Sequence, residues 1–294
     1  MLAAIDTLDG GRELLDEAAH ILGVDLRASD TAQDYRSTIT TQRALFVAGV
    51  ASARALARAG LQPGAVAGHS VGAYAAATVA GALDFEPALR LVERRAQAMA
   101  RAFPSGFGMA VIGGLSEREV VALAARAHSV AAPVYASNVN APDQIAVAGA
   151  HVALLAVIDA ARASGARSVR LLDVAVPSHT PLMDDLARDL AAACERACMR
   201  TARVLYATNV RGELTREAAT VCADLAAGVA RPVRWADATR ALYERGTRLF
   251  IEMHPGTVLS DLATYAFADA RAIALQATDV ATAAMLGERD GERV

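Results

Sequence analysis

Pro63-Gly64-Ala65-Val66-Ala67-Gly68-His69-Ser70-Val71-Gly72-Ala73-Tyr74 runs an apolar stretch straight into a small-residue one, with a serine at the join. The spacing predicts a strand over 63–68 and a helix over 73–80. A serine in Gly-x-Ser-x-Gly between strand and helix sits on a sharp, strained turn that lifts its Oγ clear of the backbone. Chance alone places this pentapeptide in a Gly- and Ala-rich chain, so its position between the two elements carries the reading. Glycines at 68 and 72 are expected because larger side chains would clash across so tight a turn. The first amides of the helix would face the reaction centre. The Val71 N–H could then donate to a tetrahedral oxyanion, assisted by the positive helix end. Ser70 is thus the candidate nucleophile of an acyl-transfer site.

Outward from this turn, helical periodicity is expected over 12–22 and 35–59, and again over 85–103. Pro104-Ser105-Gly106 marks a break. The rhythm then changes to strand 108–113, helix 117–127, strands 134–138 and 144–148, helix 151–164 and strand 168–174. That βαββαβ order predicts a small ferredoxin-like domain over 105–172, inserted into a large α/β core of 1–104 and 173–294. Short strands and helices alternate again after 181, which predicts a mainly parallel core sheet. The tail 287–294 is expected to be disordered.

Composition excludes several functions. The formal charge of −3, from 29 basic and 32 acidic residues, offers no nucleic-acid footprint. Every basic residue is Arg, which reads as compositional bias. Apolar runs are too short and too interrupted for a membrane span, and no signal peptide is visible. Three cysteines without ligand spacing predict reduced thiols, no metal site and a cytoplasmic protein. Cys194 and Cys198, four apart, are expected to share the buried face of one helix.

A serine hydroxyl needs a general base. His20, His128 and His151 fall in or at the ends of amphipathic helices. His254 stands in a turn beside Pro255 and could line a pocket, and His179 follows the strand read over 171–176. A histidine at the C-terminal edge of a parallel sheet is well placed to meet a nucleophile from another strand. His179 and His254 are the candidates on position. No Asp or Glu is an evident partner, so a backbone carbonyl would orient the imidazole.

Gly68-His69-Ser70-Val71-Gly72, with Tyr74 and Ala75, resembles the GHSxGExxA motif of malonyl-CoA:acyl-carrier-protein transacylases. The resemblance continues at Leu91-Val92-Glu93-Arg94-Arg95-Ala96, Asn138-Val139-Asn140-Ala141-Pro142-Asp143-Gln144 and Ser178-His179-Thr180. It runs on through Pro232-Val233-Arg234-Trp235 and Glu252-Met253-His254-Pro255-Gly256-Thr257-Val258-Leu259. It implies a hydrolase-like α/β core and ping-pong chemistry. Ser70 would take the acyl group from malonyl-CoA and pass it to the phosphopantetheine-type thiol of an acyl-carrier protein, with no bound cofactor. His179 would serve as base and acid, and Val71 as oxyanion donor. Arg95 would hold the free malonyl carboxylate. His69 and Asn138 would contact substrate, and Gly228 falls where the family supplies a carbonyl to the histidine.

Within the family, Gly-His-Ser-Val-Gly, Val-Pro-Ser-His and the segment from Arg231 to Gly256 look most like the epsilon subunit of malonate decarboxylase. Other decarboxylase subunits would then be partners; the fatty-acid-synthesis transacylase and a truncated docking paralogue are the alternatives. Three departures stand out. The family's opening strand and Gly-Gln-Gly loop, source of a second oxyanion donor, are expected to be missing. Ala73 replaces the usual Glu, and Ser178 stands where malonyl-specific members usually carry Phe.

Overall fold

The computed structural model describes residues 1–103 and 105–291, with side chains through Arg289. The first part of the chain forms α1 (Leu2–Asp6), α2 (Gly11–Leu22), α3 (Thr38–Arg58), β1 (Ala65–Ala67), α4 (Gly72–Val79) and α5 (Phe85–Ala102). The middle part forms β2 (Phe107–Gly113), α6 (Glu117–Ala127), β3 (Val134–Ala141), β4 (Gln144–Ala150), α7 (His151–Ala163) and β5 (Ser168–Leu172). There follow α8 (Asp184–Arg196), β6 (Leu205–Ala207), β7 (Leu214–Thr215), α9 (Ala218–Ala227) and α10 (Trp235–Glu244). The chain ends with β8 (Leu249–Glu252), α11 (Val258–Ala266), β9 (Arg271–Ala274) and α12 (Val280–Gly291).

The βαββαβ run makes a four-stranded antiparallel sheet in the order β3-β4-β2-β5. Apolar residues of α6 and α7, among them Val120, Leu154 and Val157, pack with Ile112, Ile145 and Val147 over one face. Local chemistry starts α6 where expected. Ser116 and Glu119 form a reciprocal capping box that satisfies two otherwise unpaired amides.

The expectation of one mainly parallel core sheet is corrected. The strands form small, mixed sheets within a mixed α/β fold: β1 pairs parallel with β6, β6 antiparallel with β7, and β8 parallel with β9 in a separate ribbon. Helices supply the bulk of the principal core instead. Ala44, Ala48 and Ala51 of α3, Ala73, Ala76 and Ala77 of α4, and Leu89 and Val92 of α5 are buried together with Tyr74 and Tyr206. Short side chains let helix axes approach closely, so burial is reached by helix-on-helix packing.

Other expectations also change. Helix α8 stops at Arg196, so exposed Cys198, beyond its end, does not share the face of buried Cys194. Residues 287–291, expected to be disordered, continue α12, whose Ala283 is fully buried; the rest of that tail, and Pro104 of the expected break, lie outside the described residues. Among the described residues no helix is long and apolar enough to cross a membrane.

The turn at Ser70 depends on one glycine. A Cβ on Gly68 would lie 2.1 Å from Gly72 O and 2.4 Å from Ala73 N, whereas one on Gly72 would meet nothing within 4 Å. The expected need for glycine on both flanks therefore holds only at 68. Gly68→Ala should lower stability by about 1–3 kcal/mol, the range for overpacking, whereas Gly72→Ala should cost less. Urea denaturation midpoints of the two variants test the asymmetry.

Candidate active site

Ser70 sits between β1 and α4 with φ +55°, and His179, in the loop between β5 and α8, has φ +63°. Both are non-glycine residues in the left-handed region, a conformation that persists only where surrounding contacts over-determine it. The contacts are present. Ser70 Oγ lies 2.7 Å from His179 Nε2, and His179 Nδ1 lies 2.5 Å from Gly228 O at the end of α9. The His179 backbone N–H also donates to Val229 O at 2.8 Å. With Nδ1–H donating to a carbonyl, Nε2 keeps its lone pair for the Ser70 hydroxyl proton.

The route by which His179 arrives differs from the expected one. Strand β5 ends at Leu172 and belongs to the antiparallel sheet, so His179 does not stand at the edge of a parallel sheet. The loop 173–178 carries it to α9, and its backbone is fixed there. His254 is occupied elsewhere: its Nδ1 lies 3.0 Å from Ser52 Oγ on α3.

Arg95, on α5, is 3 % exposed. One guanidinium nitrogen donates to Ser70 Oγ at 3.1 Å and another to Gln42 Oε1 on α3. Gln42 is in turn held by Thr38 Oγ1, 2.8 Å from its Nε2. No carboxylate pairs with Arg95 among the described residues, although neighbouring Arg94 is paired with Asp189 on the surface. A buried guanidinium carries a large desolvation cost and is normally offset by an anion. Here its nearest partners are two neutral groups, the Ser70 hydroxyl and the Gln42 amide.

Burial, reinforced by the Arg95 charge, pushes the His179 imidazole down to about 3, against the opposing pull of the Gly228 carbonyl. His179 is therefore neutral at physiological pH, as a base must be. Burial also lowers His69, whose Nε2 lies 3.1 Å from Asn140 Oδ1 and 3.2 Å from Asn138 Nδ2, with Trp235 edge-on. Asn138 reaches this position because β3 is spliced to the loop before α10. Val139 N–H donates to Val233 O at 2.8 Å and Val233 N–H to Ser137 O at 2.9 Å.

Val71 opens α4 in helical conformation, and its N–H has no protein acceptor among the described residues. Ser70 N–H, by contrast, donates to Asn209 Oδ1 at 2.9 Å, while Asn209 Nδ2 donates to Gly68 O at 2.8 Å. Asn209, Asp224 and Gln42 escaped the sequence reading. For Asp224 a signal existed: a lone acid in the apolar run Val221-Cys222-Ala223-Asp224-Leu225-Ala226-Ala227. The structure thus brings Ser70, Val71, Arg95 and His179 to one point, with His69 and Asn138 beside it. The arrangement supplies a nucleophile, a neutral base, a free oxyanion donor and a cation, and so suits acyl transfer.

A family model described as "Acyl transferase domain" matches residues 14–293. The malonyl CoA-acyl carrier protein transacylase of Haemophilus influenzae is 33 % identical over 276 residues, covering 92 % of this chain and 88 % of that protein. The crystal structure of FabD from Acinetobacter baumannii superposes with a TM-score of 0.91 at 29 % identity, covering 100 % of this chain and 94 % of that one. A malonyl-transacylase in complex with a type II PKS acyl-carrier protein gives a TM-score of 0.88 at 32 % identity, with coverages of 94 % and 90 %.

The lowered His179 sets the pH behaviour. Acylation of Ser70 by an uncharged ester should be flat between about pH 5 and 8 and decline only toward about 3; a midpoint near the unperturbed value of about 6.5 would show a solvated imidazole. The folded value lies below the unfolded one, so unfolded chains bind the extra proton first. The stability contribution is complete above about pH 6.5 and is lost as pH falls from there toward 3. His179→Gln should flatten that part of the stability profile in acid-denaturation measurements.

Proposed function

The chain belongs to the acyl transferase domain family, and we propose that it carries a malonyl group from malonyl-CoA to the phosphopantetheine-type thiol of an acyl-carrier protein. It is an acyltransferase of the malonyl transacylase type. The observation that carries the substrate reading is Arg95, a buried cation that touches the nucleophile and has no carboxylate partner among the described residues. A malonyl group brings that carboxylate, and a plain esterase has no use for such a cation.

In the first half-reaction Ser70 Oγ attacks the thioester carbonyl while His179 Nε2 takes the hydroxyl proton. The Val71 N–H donates to the oxyanion. The C–S bond then breaks, and the CoA sulfur leaves as thiol with the proton from His179. In the second half-reaction the carrier thiol gives its proton to His179 and attacks the Ser70 ester, and Ser70 departs with that proton. Arg95 moves from Ser70 Oγ to the malonyl carboxylate when substrate enters. Asn138, whose buried Oδ1 has no donor among the described residues, and His69 beside it complete the substrate side of the site.

The relatives above are named as malonyl transacylases, which favours a general transacylase of the fatty-acid-synthesis type. The decarboxylase epsilon-subunit reading rests on Gly-His-Ser-Val-Gly, Val-Pro-Ser-His and the 231–256 segment; only in that reading are other decarboxylase subunits partners. We also read 105–172 as a ferredoxin-like insert in a hydrolase-like core of 1–104 and 173–294, supported by the strand order β3-β4-β2-β5.

Incubation with malonyl-CoA should add one malonyl mass to the peptide containing Ser70, and Ser70→Ala should abolish it. An unlabelled wild type under conditions of turnover would sink the proposal. Arg95→Ala should slow malonyl transfer by about 10- to 100-fold, the worth of a charge-assisted hydrogen bond, and shift preference toward acetyl-CoA. An unchanged malonyl-to-acetyl ratio would remove Arg95 from substrate binding.

A further inference from the structure

We propose that Asn209 is the positioning residue of the nucleophile and that Asp224 aims it, so that one end of α9 aligns both Ser70 and His179. The proposal rests on Ser70 being the nucleophile, as argued above.

Asn209 bridges two backbone groups of the turn, accepting from Ser70 N–H and donating to Gly68 O. A primary amide offers both functions in one plane, and an apolar side chain offers neither. Loss of the bridge would leave two enclosed backbone groups unpaired and free the left-handed Ser70 to relax. It also commits Ser70 N–H, which leaves Val71 N–H for the oxyanion.

Asp224, 5 % exposed, shares the small cavity under Ser70 yet makes no hydrogen bond to His179. Its carboxylate accepts from Asn209 N–H at 3.0 Å, Val210 N–H at 2.8 Å and Tyr206 Oη–H at 2.8 Å. All three bonds go to the strand end and loop that carry Asn209. Asp224 thus fixes that loop, and the three bonds oppose the upward push that burial exerts on its carboxyl.

The two alignments meet on α9. Gly228 N–H donates to Asp224 O at 2.8 Å, so the residue that holds the Asn209 loop and the carbonyl that orients His179 are one helical turn apart. Displacing this end of α9 would move base and nucleophile together.

The test uses a fluorophosphonate, which modifies Ser70 without malonyl or CoA, alongside malonyl transfer. Asn209→Ala should slow fluorophosphonate labelling and kcat by about 10- to 100-fold, the scale of lost positioning, with KM for malonyl-CoA within about twofold. Asn209→Asp is isosteric and gives a readout that a merely structural role would not move. Ionised, it repels Gly68 O; protonated, it restores both bonds. The charged and titratable groups facing it are Arg95 from α5, Tyr74 from α4, His179 from its loop and Asp224 from α9, with Tyr206 behind from β6. Labelling of Asn209→Asp should therefore rise as pH falls from about 8 to 5, where wild type is flat. Tyr206→Phe, which removes one bond to Asp224, should slow labelling less than Asn209→Ala. Labelling of Asn209→Ala within twofold of wild type, or a flat profile for Asn209→Asp, would overturn the proposal. Should wild type label normally but transfer no malonyl, slowed labelling of the variants would still uphold the alignment while the donor assignment fell.

Discussion

A serine held at φ +55° between a strand and a helix is the constraint on which the rest of this structure depends. An L-residue in the left-handed region costs roughly 1–2 kcal/mol, and contacts from Asn209 and His179 help to hold it there. The turn closes because Gly68 has no Cβ to strike Gly72 O, and because β1 is pinned to β6 in parallel register. The loop after β6 then delivers Asn209 to the turn itself. The short strands that make the sheets small are long enough for this purpose.

Electrostatics follow from the same crowding. Arg95 and His179 both lie against the Ser70 hydroxyl, with His69 enclosed nearby. Burial drives both imidazoles neutral, and at His179 the neighbouring guanidinium adds to the effect. A carboxylate behind His179 would reverse that balance by pairing with the imidazolium. Gly228 O orients the ring with a dipole instead, and leaves Arg95 unneutralised.

Ser70 was legible because the elbow is local: strand, turn and helix all lie between Ala65 and Val79, and each leaves its own pattern. The βαββαβ order was legible for the same reason, since its turns and capping box, Ser116 to Glu119, are short-range. Position singled out His179 for a reason the fold does not honour, because β5 turns into the antiparallel sheet. Arg95 was visible only through family resemblance; by periodicity it is one more arginine on an amphipathic helix. Asn209 was invisible. Its partners are 139 and 141 residues away, and an Asn after a strand reads as an ordinary turn residue. The parallel core failed as an expectation because Ala-rich segments can bury themselves helix against helix, which strand counting does not register.

The uncompensated Arg95 has a thermodynamic corollary for the unliganded protein. A buried cation and two residues in left-handed backbone are each unfavourable, and all three stand within one hydrogen-bonded cluster. Natural proteins concentrate such frustration where function requires it and offset it elsewhere. Under the proposed reaction, a malonyl group esterified to Ser70 would set its free carboxylate against the guanidinium, so that part of the offset would come from the substrate itself.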